Sequence, residues 1–455
     1  MRWSLDEIAA ATGGQVRGDR ATTVDGVTQD SRDVQPGMLF VPLVAERDGH
    51  DFIADAVAAG ASAYLTARGV AGVDAAAVEV DDTMAALTAL AREARARLGA
   101  VPVVGITGSV GKTTTKDLLA AVLGRGRRVW ASTRSFNNEI GVPITLLTAP
   151  ADAEALVVEM GSRGAGHIAE LCRTARPTMG VVTTVGLSHT SELGSLAAVV
   201  SAKRELVEAL PAAADGGVAF LNAGVPEVLS MAEGSGARVV TFGEGGEVQA
   251  RDLIVDDDLV PRFVLRSPGG EAPVRLGARG AQSVDNALAA AAVAIEFGVS
   301  LEDVAAGLAE PTLSPLRMEV LRATGGARLL NDTYNANPLS MRAALHSLAA
   351  LPAQRRIAVL GTMAELGDFE AAEHAAIGSL AARLGVQIVS VDAPGYSSGE
   401  STVIEAALSD LGGLDADDAV LVKGSRVAGL ERLVQHLAPS PERSRVAARD
   451  HPQRP

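Results

Sequence analysis

The sequence predicts an α/β chain of three parts: a small α/β unit over residues 1–98, a central parallel-sheet unit with a phosphate-type loop over 99–312, and a Rossmann-like α/β unit over 313–438. Three observations carry this. Short apolar runs alternate with helical segments along most of the 455 residues, the pattern of parallel sheets covered on both faces. Between Val101 and Asp117 a strand, a glycine-rich turn and a helix follow in that order. Breaks near Gly99 and at Pro311 and Pro315 divide a chain too long for one ordinary core.

Taken in order, residues 4–11 read as a helix, and 23–27 and 38–44 as strands. Between those strands lie Asp30-Ser31-Arg32 and the turn Pro36-Gly37. On local grounds Ser31 and Arg32 fit a phosphate- or uracil-binding pair and a solvated turn equally well. The helix over 84–98 is expected to be capped by Thr83 and stopped by Gly99.

The central unit opens with a strand over 101–106, and helix is expected from Lys116 onward. Apolar strands follow at 155–160 and 179–185, each ending in polar residues, where ligands sit in such sheets. Glu159 ends the first, and His189 follows the second. Residues 201–210 read as a helix carrying Lys203, and 237–276 as an antiparallel addition. An alanine-rich helix runs from about 283 to 297, with Asn286 in its first turn and Gly298 at its end.

In the third unit, strands are expected at 328–331, 357–360, 386–391 and 419–422, separated by helices. No G-x-G-x-x-G fingerprint accompanies them, so no dinucleotide is expected. From 439 to 455 the chain is polar, carries prolines and reads as a disordered tail.

Composition narrows the partners. A net charge of −15 argues against nucleic acid, whose phosphates attract basic surfaces. One cysteine, Cys172, rules out an internal disulfide and suits a reducing cytoplasm. The longest apolar run, residues 287–295, is far short of a membrane span, so a cytoplasmic protein without stable membrane association is expected, as a monomer. Of 40 basic residues only four are lysine, at 112, 116, 203 and 423. A lysine kept in an arginine-using chain suggests an amine doing what guanidinium cannot.

The chemistry centres on TGSVGKTTTK from Thr107. Gly108 and Gly111 allow backbone N–H groups, with those of Ser109 and Thr114 nearby, to turn toward an anion, and the helix adds its N-terminal partial charge. Lys112 can reach the terminal phosphates and the Thr113 hydroxyl can hold Mg²⁺. The usual P-loop pattern requires glycine where Ile106 stands, so the match is to the shorter core G-x-x-G-K-T. Glu159 is a hard oxygen donor suited to the same ion. Arg317, Asp332 and Asn335 lie in the third unit; Asp332 could take ribose hydroxyls and Arg317 a phosphate. If they do, the nucleotide is clamped between units. An N-K-x-D motif, which a guanine-specific switch would carry, is missing from the sequence.

These segments resemble the Mur ligases, the ATP-dependent amide-forming family of peptidoglycan synthesis. The resemblance is carried by TGSVGKTTTK, SFNNEIGVPITLL from Ser135, VVEMGSRGAGHI from Val157 and TVGLSHTSELGSLAAVVSAKRELVEAL from Thr184. The third unit adds LRMEV from Leu316, NDTYNANPLSM from Asn331, GTMAELGDFEAAEH from Gly361 and LVKGSR from Leu421. DSRDVQPGMLFVPL from Asp30 and DGHDFI from Asp48 extend it to the first unit.

The resemblance implies ATP-driven joining of D-Ala-D-Ala to a UDP-N-acetylmuramoyl-tripeptide through an acyl phosphate. It implies two Mg²⁺ ions, with Glu159 and His189 as ligands beside Thr113. Lys203 falls at the family's carbamylated lysine. Asn286 matches the adenine-contacting position, Ser31 and Arg32 the uridine side, and Asn137 and Asn138 the peptide side. Thr184, Asn331 and Thr362 stand where Asn, Asp and Asp are usual. A folylpolyglutamate synthase would share the P-loop, but the first-unit DSR segment favours a UDP-sugar substrate.

Overall fold

The computed structural model describes residues 1–187, 190–393, 395–396, 402–411 and 413–439. Its architecture is α/β throughout, with three sheet systems following one another along the chain. His189 and most of the segment read as a tail lie outside the described residues.

The first system is a five-stranded sheet in the order Gln15–Arg17, Ala76–Glu79, Ala63–Thr66, Leu39–Phe40, Val27–Thr28. A separate antiparallel pair joins Arg2–Ser4 to Thr23–Asp25. The strands expected at 23–27 and 38–44 are thus shorter, and the first is split by Gly26, whose φ of 90° breaks extended backbone. Helix Leu5–Thr12 starts in a capping box: Ser4 Oγ accepts the Glu7 N–H, and the Glu7 carboxylate accepts the Ser4 N–H. The helix Thr83–Arg97 is capped by Asp82, one residue earlier than expected. Asp82 Oδ1 accepts the N–H groups of Met84 at 2.7 Å and Ala85 at 2.8 Å, which places Thr83 inside the first turn.

The central sheet has six parallel strands in the order Arg238–Phe242, Val218–Asn222, Met179–Val182, Val103–Thr107, Ala155–Glu159, Val129–Ala131. Its topology turns about Val103–Thr107. Later strands lie to either side of it, and the crevice at their carboxyl ends is the ligand position of open α/β sheets. Two features of this region depart from the pattern expected of the sequence. Arg238–Phe242 is a parallel edge strand of this sheet, because a helical crossover at Pro226–Leu229 returns it beside Val218–Asn222. The antiparallel addition consists of Gln249–Val255, Pro261–Ser267 and Gly270–Arg275 alone.

The helix after the glycine turn begins at Lys112, four residues before the expected start, and runs to Leu123. Its apolar face packs on Ser283–Glu296, whose alanines from Ala287 to Ala294 are buried and let the helices approach closely. The helix carrying Lys203 spans Leu196–Glu208, starting earlier than expected at the cap Ser195.

The third sheet runs Glu319–Arg322, Arg328–Asp332, Asp418–Lys423, Arg355–Leu360, Gln387–Ser390. The last four strands are parallel, and Glu319–Arg322 is an unexpected antiparallel edge. Helices cover both faces over two apolar clusters, as a Rossmann-like layout requires. Among the described residues no helix is long and apolar enough to cross a membrane.

Candidate active site

The strand Val103–Thr107 runs into the turn 108–111, where Gly108 and Gly111 have φ of 146° and 91°. Both need glycine twice over. The positive φ is one that residues with a side chain rarely adopt, and a Cβ would run into Thr183 Oγ1 at Gly108 or Asn286 Oδ1 at Gly111. The turn is held from the neighbouring strand end: Ser109 N–H donates to the Thr184 carbonyl at 2.9 Å, and Val110 N–H to Thr184 Oγ1 at 3.2 Å. Thr184, standing where Asn is usual, therefore still supplies a side-chain acceptor.

A cavity of about 730 Å³ opens above this turn. From the central sheet it is lined by Lys112, Thr113, Glu159 and Lys203, and from the third by Arg317, Asp332 and Asn335. Thr113 Oγ1 donates to Glu159 Oε2 at 2.7 Å, while Asn137 Nδ2 donates to Glu159 Oε1 at 2.7 Å. Glu159 is buried, so two hard oxygen donors meet at one point of the wall. Among the described residues no cluster of three His, Cys, Asp or Glu side chains gathers around a metal-sized point. Mg²⁺ does not require one, since it keeps several waters and takes one or two protein carboxylates.

Lys112 Nζ donates to the Gly108 carbonyl at 2.7 Å, curled over the turn. Desolvation lowers its pKa, with the Glu159 carboxylate opposing and the Arg317 guanidinium adding to the shift. Lys203 is only 2% exposed, and its Nζ donates to Ser162 Oγ at 2.8 Å. Burial first, and then the Lys112 charge, push its pKa down to about 7 against the pull of Glu205.

Just ahead of the third sheet, the Arg317 guanidinium lies over the Tyr334 ring at 4.1 Å from its centroid. Asp332 Oδ2 is 2.6 Å from Lys423 Nζ. The two lobes touch across the cavity: Ser135 and Tyr334 are hydrogen-bonded through their hydroxyls, and Ser191 N–H donates to the Glu365 carbonyl at 3.1 Å. Asn331, where Asp is usual, is buried and donates to Glu319 Oε2 at 2.5 Å.

Gly108 does not line the cavity, but Ser109, Gly111, Thr114, Asn138 and Asn286 do. Asn286 sits under Gly111 and accepts a hydrogen bond from Thr115 Oγ1 at 3.3 Å. Ser31 and Arg32 are not brought to this cavity. They follow strand Val27–Thr28 of the first sheet, where the Arg32 guanidinium grips both oxygens of Asp30 at 2.8 and 2.6 Å. Sequence reasoning missed the structural parts played by Ser162, Tyr334 and Asp117. Lys423 stands out in the sequence as one of four retained lysines and as part of LVKGSR, with no role attached to it.

The chain matches the Mur ligase middle domain over residues 106–294 and the Mur ligase glutamate ligase domain over 316–426. It is 42% identical to the UDP-N-acetylmuramoyl-tripeptide–D-alanyl-D-alanine ligase of Mycobacterium tuberculosis, covering 90% of this chain and 91% of that one. The Escherichia coli ligase of the same name is 34% identical, covering 95% and 98%. A crystal structure of MurF from Acinetobacter baumannii superposes with a TM-score of 0.86 at 29% identity, covering 95% and 98%. MurF from Thermotoga maritima in complex with ADP does so at 0.77 and 27%, covering 91% and 97%. The chain belongs to the Mur ligases, in the branch of the UDP-N-acetylmuramoyl-tripeptide–D-alanyl-D-alanine ligases.

Proposed function

We propose that this chain uses ATP to join D-Ala-D-Ala to a UDP-N-acetylmuramoyl-tripeptide, releasing ADP and phosphate in peptidoglycan precursor synthesis. The observation that carries this is the single cavity shared by Lys112, Thr113, Glu159 and Lys203 on one side and Arg317, Asp332 and Asn335 on the other.

A carboxylate is a poor acyl donor. In the first step an oxygen of the tripeptide's terminal carboxylate attacks the γ-phosphorus, the bond to the β-phosphate oxygen breaks, and ADP leaves. In the second, the dipeptide amine attacks the acyl carbon and phosphate departs with the carboxylate oxygen. The residues mainly position reactants and balance charge. The turn 108–111, with Ser109, Gly111 and Thr114, cradles the phosphates, and Lys112 spreads its charge over the terminal ones. Asn286 faces adenine, Arg317 a phosphate and Asp332 the ribose, with Asn335 beside the nucleotide. Contact between the lobes keeps water from the acyl phosphate. Asn137 and Asn138 meet the peptide, and Ser31 and Arg32 hold the uridine end from the first sheet.

Thr113 and Glu159 are the donors for Mg²⁺, which supplies neutralising charge on the phosphate oxygens when bound. His189 is assigned to a metal by family resemblance. As a carbamate, Lys203 would offer two oxygen donors to a second ion: its neutral amine would add to CO₂ and lose a proton to solvent. A buried amine with pKa about 7 is suited to that addition.

The test is to incubate the purified chain with ATP, Mg²⁺, the UDP-tripeptide and D-Ala-D-Ala and weigh the nucleotide product. Growth of the UDP-tripeptide by the dipeptide minus water supports the reading. ATP turnover without that product, or with a single amino acid as the acceptor, removes it.

A further inference from the structure

Two of the four lysines, Lys116 and Lys423, have no part in the chemistry above, yet they are 4% and 1% exposed. Each is paired with an aspartate: Lys116 Nζ is 2.7 Å from Asp117 Oδ1, and Lys423 Nζ is 2.6 Å from Asp332 Oδ2. The other oxygen of each aspartate accepts a backbone N–H from one short stretch. Ser314 N–H donates to Asp117 Oδ2 at 2.7 Å, and Met318 N–H donates to Asp332 Oδ1 at 3.2 Å.

Between those two anchors lies Arg317. Its neighbours Leu316 and Met318 have φ of 63° and 47°, the left-handed region that residues with a Cβ avoid. Such backbone persists only where its surroundings over-determine it. Tyr334 adds a third hold, donating its N–H to the Leu316 carbonyl at 3.1 Å while its ring lies against the Arg317 guanidinium.

We infer that Lys116–Asp117 and Lys423–Asp332 are two charge-balanced clamps, one from the P-loop helix and one from the third sheet, that hold the 314–318 turn and so aim Arg317 into the cavity. Lys116, Asp117 and Lys423 are positioning residues for Arg317, Asp332 shares that task with its proposed ribose contact, and the inference rests on the nucleotide role proposed for that arginine. The lysines hold the aspartates in place through these short contacts, since removing one partner of a buried ion pair leaves the other uncompensated and free to turn away. Lys116 also donates to the Ser132 carbonyl at 2.8 Å, and Ser132 Oγ accepts the Glu159 N–H at 3.1 Å. A compact ammonium fits between a carboxylate and a carbonyl there, where a forked guanidinium would not. Because the clamps come from different lobes, Arg317 is placed only when both lobes are engaged.

A double-mutant cycle between Asp117→Ala and Arg317→Ala tests this, read as kcat/KM for ATP in phosphate release, with Tm alongside. Each single change is expected to lower kcat/KM by about tenfold or more, and Asp117→Ala is expected to cost less than about twofold once Arg317 is gone. Equal losses in both backgrounds overturn the inference, because a merely structural aspartate would weaken the enzyme whether or not Arg317 is present. Should Asp117→Ala fail to fold, Asp117→Asn keeps the shape, removes the charge and is held to the same non-additivity. If Arg317→Ala alone keeps full kcat/KM, the proposed role of Arg317 falls and the inference with it. An impaired Arg317→Ala with additive costs sinks the inference alone.

Discussion

Lys423 and Asp332 are register partners on neighbouring parallel strands, and their side chains meet at 2.6 Å across the sheet. The pairing fixes Asp332 at the cavity wall, with the Lys423 ammonium also donating to the Asn335 carbonyl at 2.8 Å. Lys423→Met should therefore raise KM for ATP by about tenfold, with a smaller change in kcat. It should also narrow the preference for ATP over an analogue lacking the ribose hydroxyls. An unchanged preference would remove Asp332 from the ribose.

Lys112 is expected to be required for turnover. Lys112→Ala should lower phosphate release by about a hundred- to a thousandfold, the usual cost of one charge-stabilising donor. Lys112→Arg should be nearly as poor, since its fork does not reproduce a point charge over the turn. Near-normal rates in the alanine variant would contradict the phosphate site.

Glu159 and Thr113 share a 2.7 Å hydrogen bond, and replacing either should weaken Mg²⁺ rather than fold. Glu159→Gln should raise the Mg²⁺ concentration for half-maximal phosphate release by about tenfold or more. A titration midpoint that stays put would place the ion elsewhere.

For Lys203, protonation works against carbamate formation. Its pKa of about 7 leaves the amine charged below that pH, so activity should fall as pH drops through neutrality. The folded pKa lies below the unfolded value of about 10.4, so the unfolded chain binds more protons between the two and stability rises with pH across that window. Lys203→Ala should lose activity, and short-chain carboxylates should restore part of it. Lys203→Arg has no amine to carbamylate, so full activity in that variant would end the proposal.

Local signals made part of this legible from sequence, and their limits follow from distance along the chain. The strand and glycine turn ahead of Lys112 were readable because apolar run, glycines and helix formers are contiguous. The alanine-rich helix 283–296 was readable from composition and its terminal glycine. Arg238–Phe242 was misplaced because a parallel edge strand and a hairpin strand have the same short apolar pattern. Its partner is set by the crossover. Asp117 could not be recognised, since its linker contact Ser314 is 197 residues away. Ser162 and Lys203 are 41 residues apart and meet only because the sheet brings their segments together.

The proposed reaction requires the tripeptide carboxylate to be phosphorylated before the amine attacks. Tripeptide labelled with the heavy oxygen isotope in that carboxylate tests it directly, with the released phosphate analysed by mass. Transfer of one labelled oxygen atom to phosphate per amide formed is expected in the presence of ATP, Mg²⁺ and D-Ala-D-Ala. Amide formation that leaves the phosphate unlabelled would contradict it.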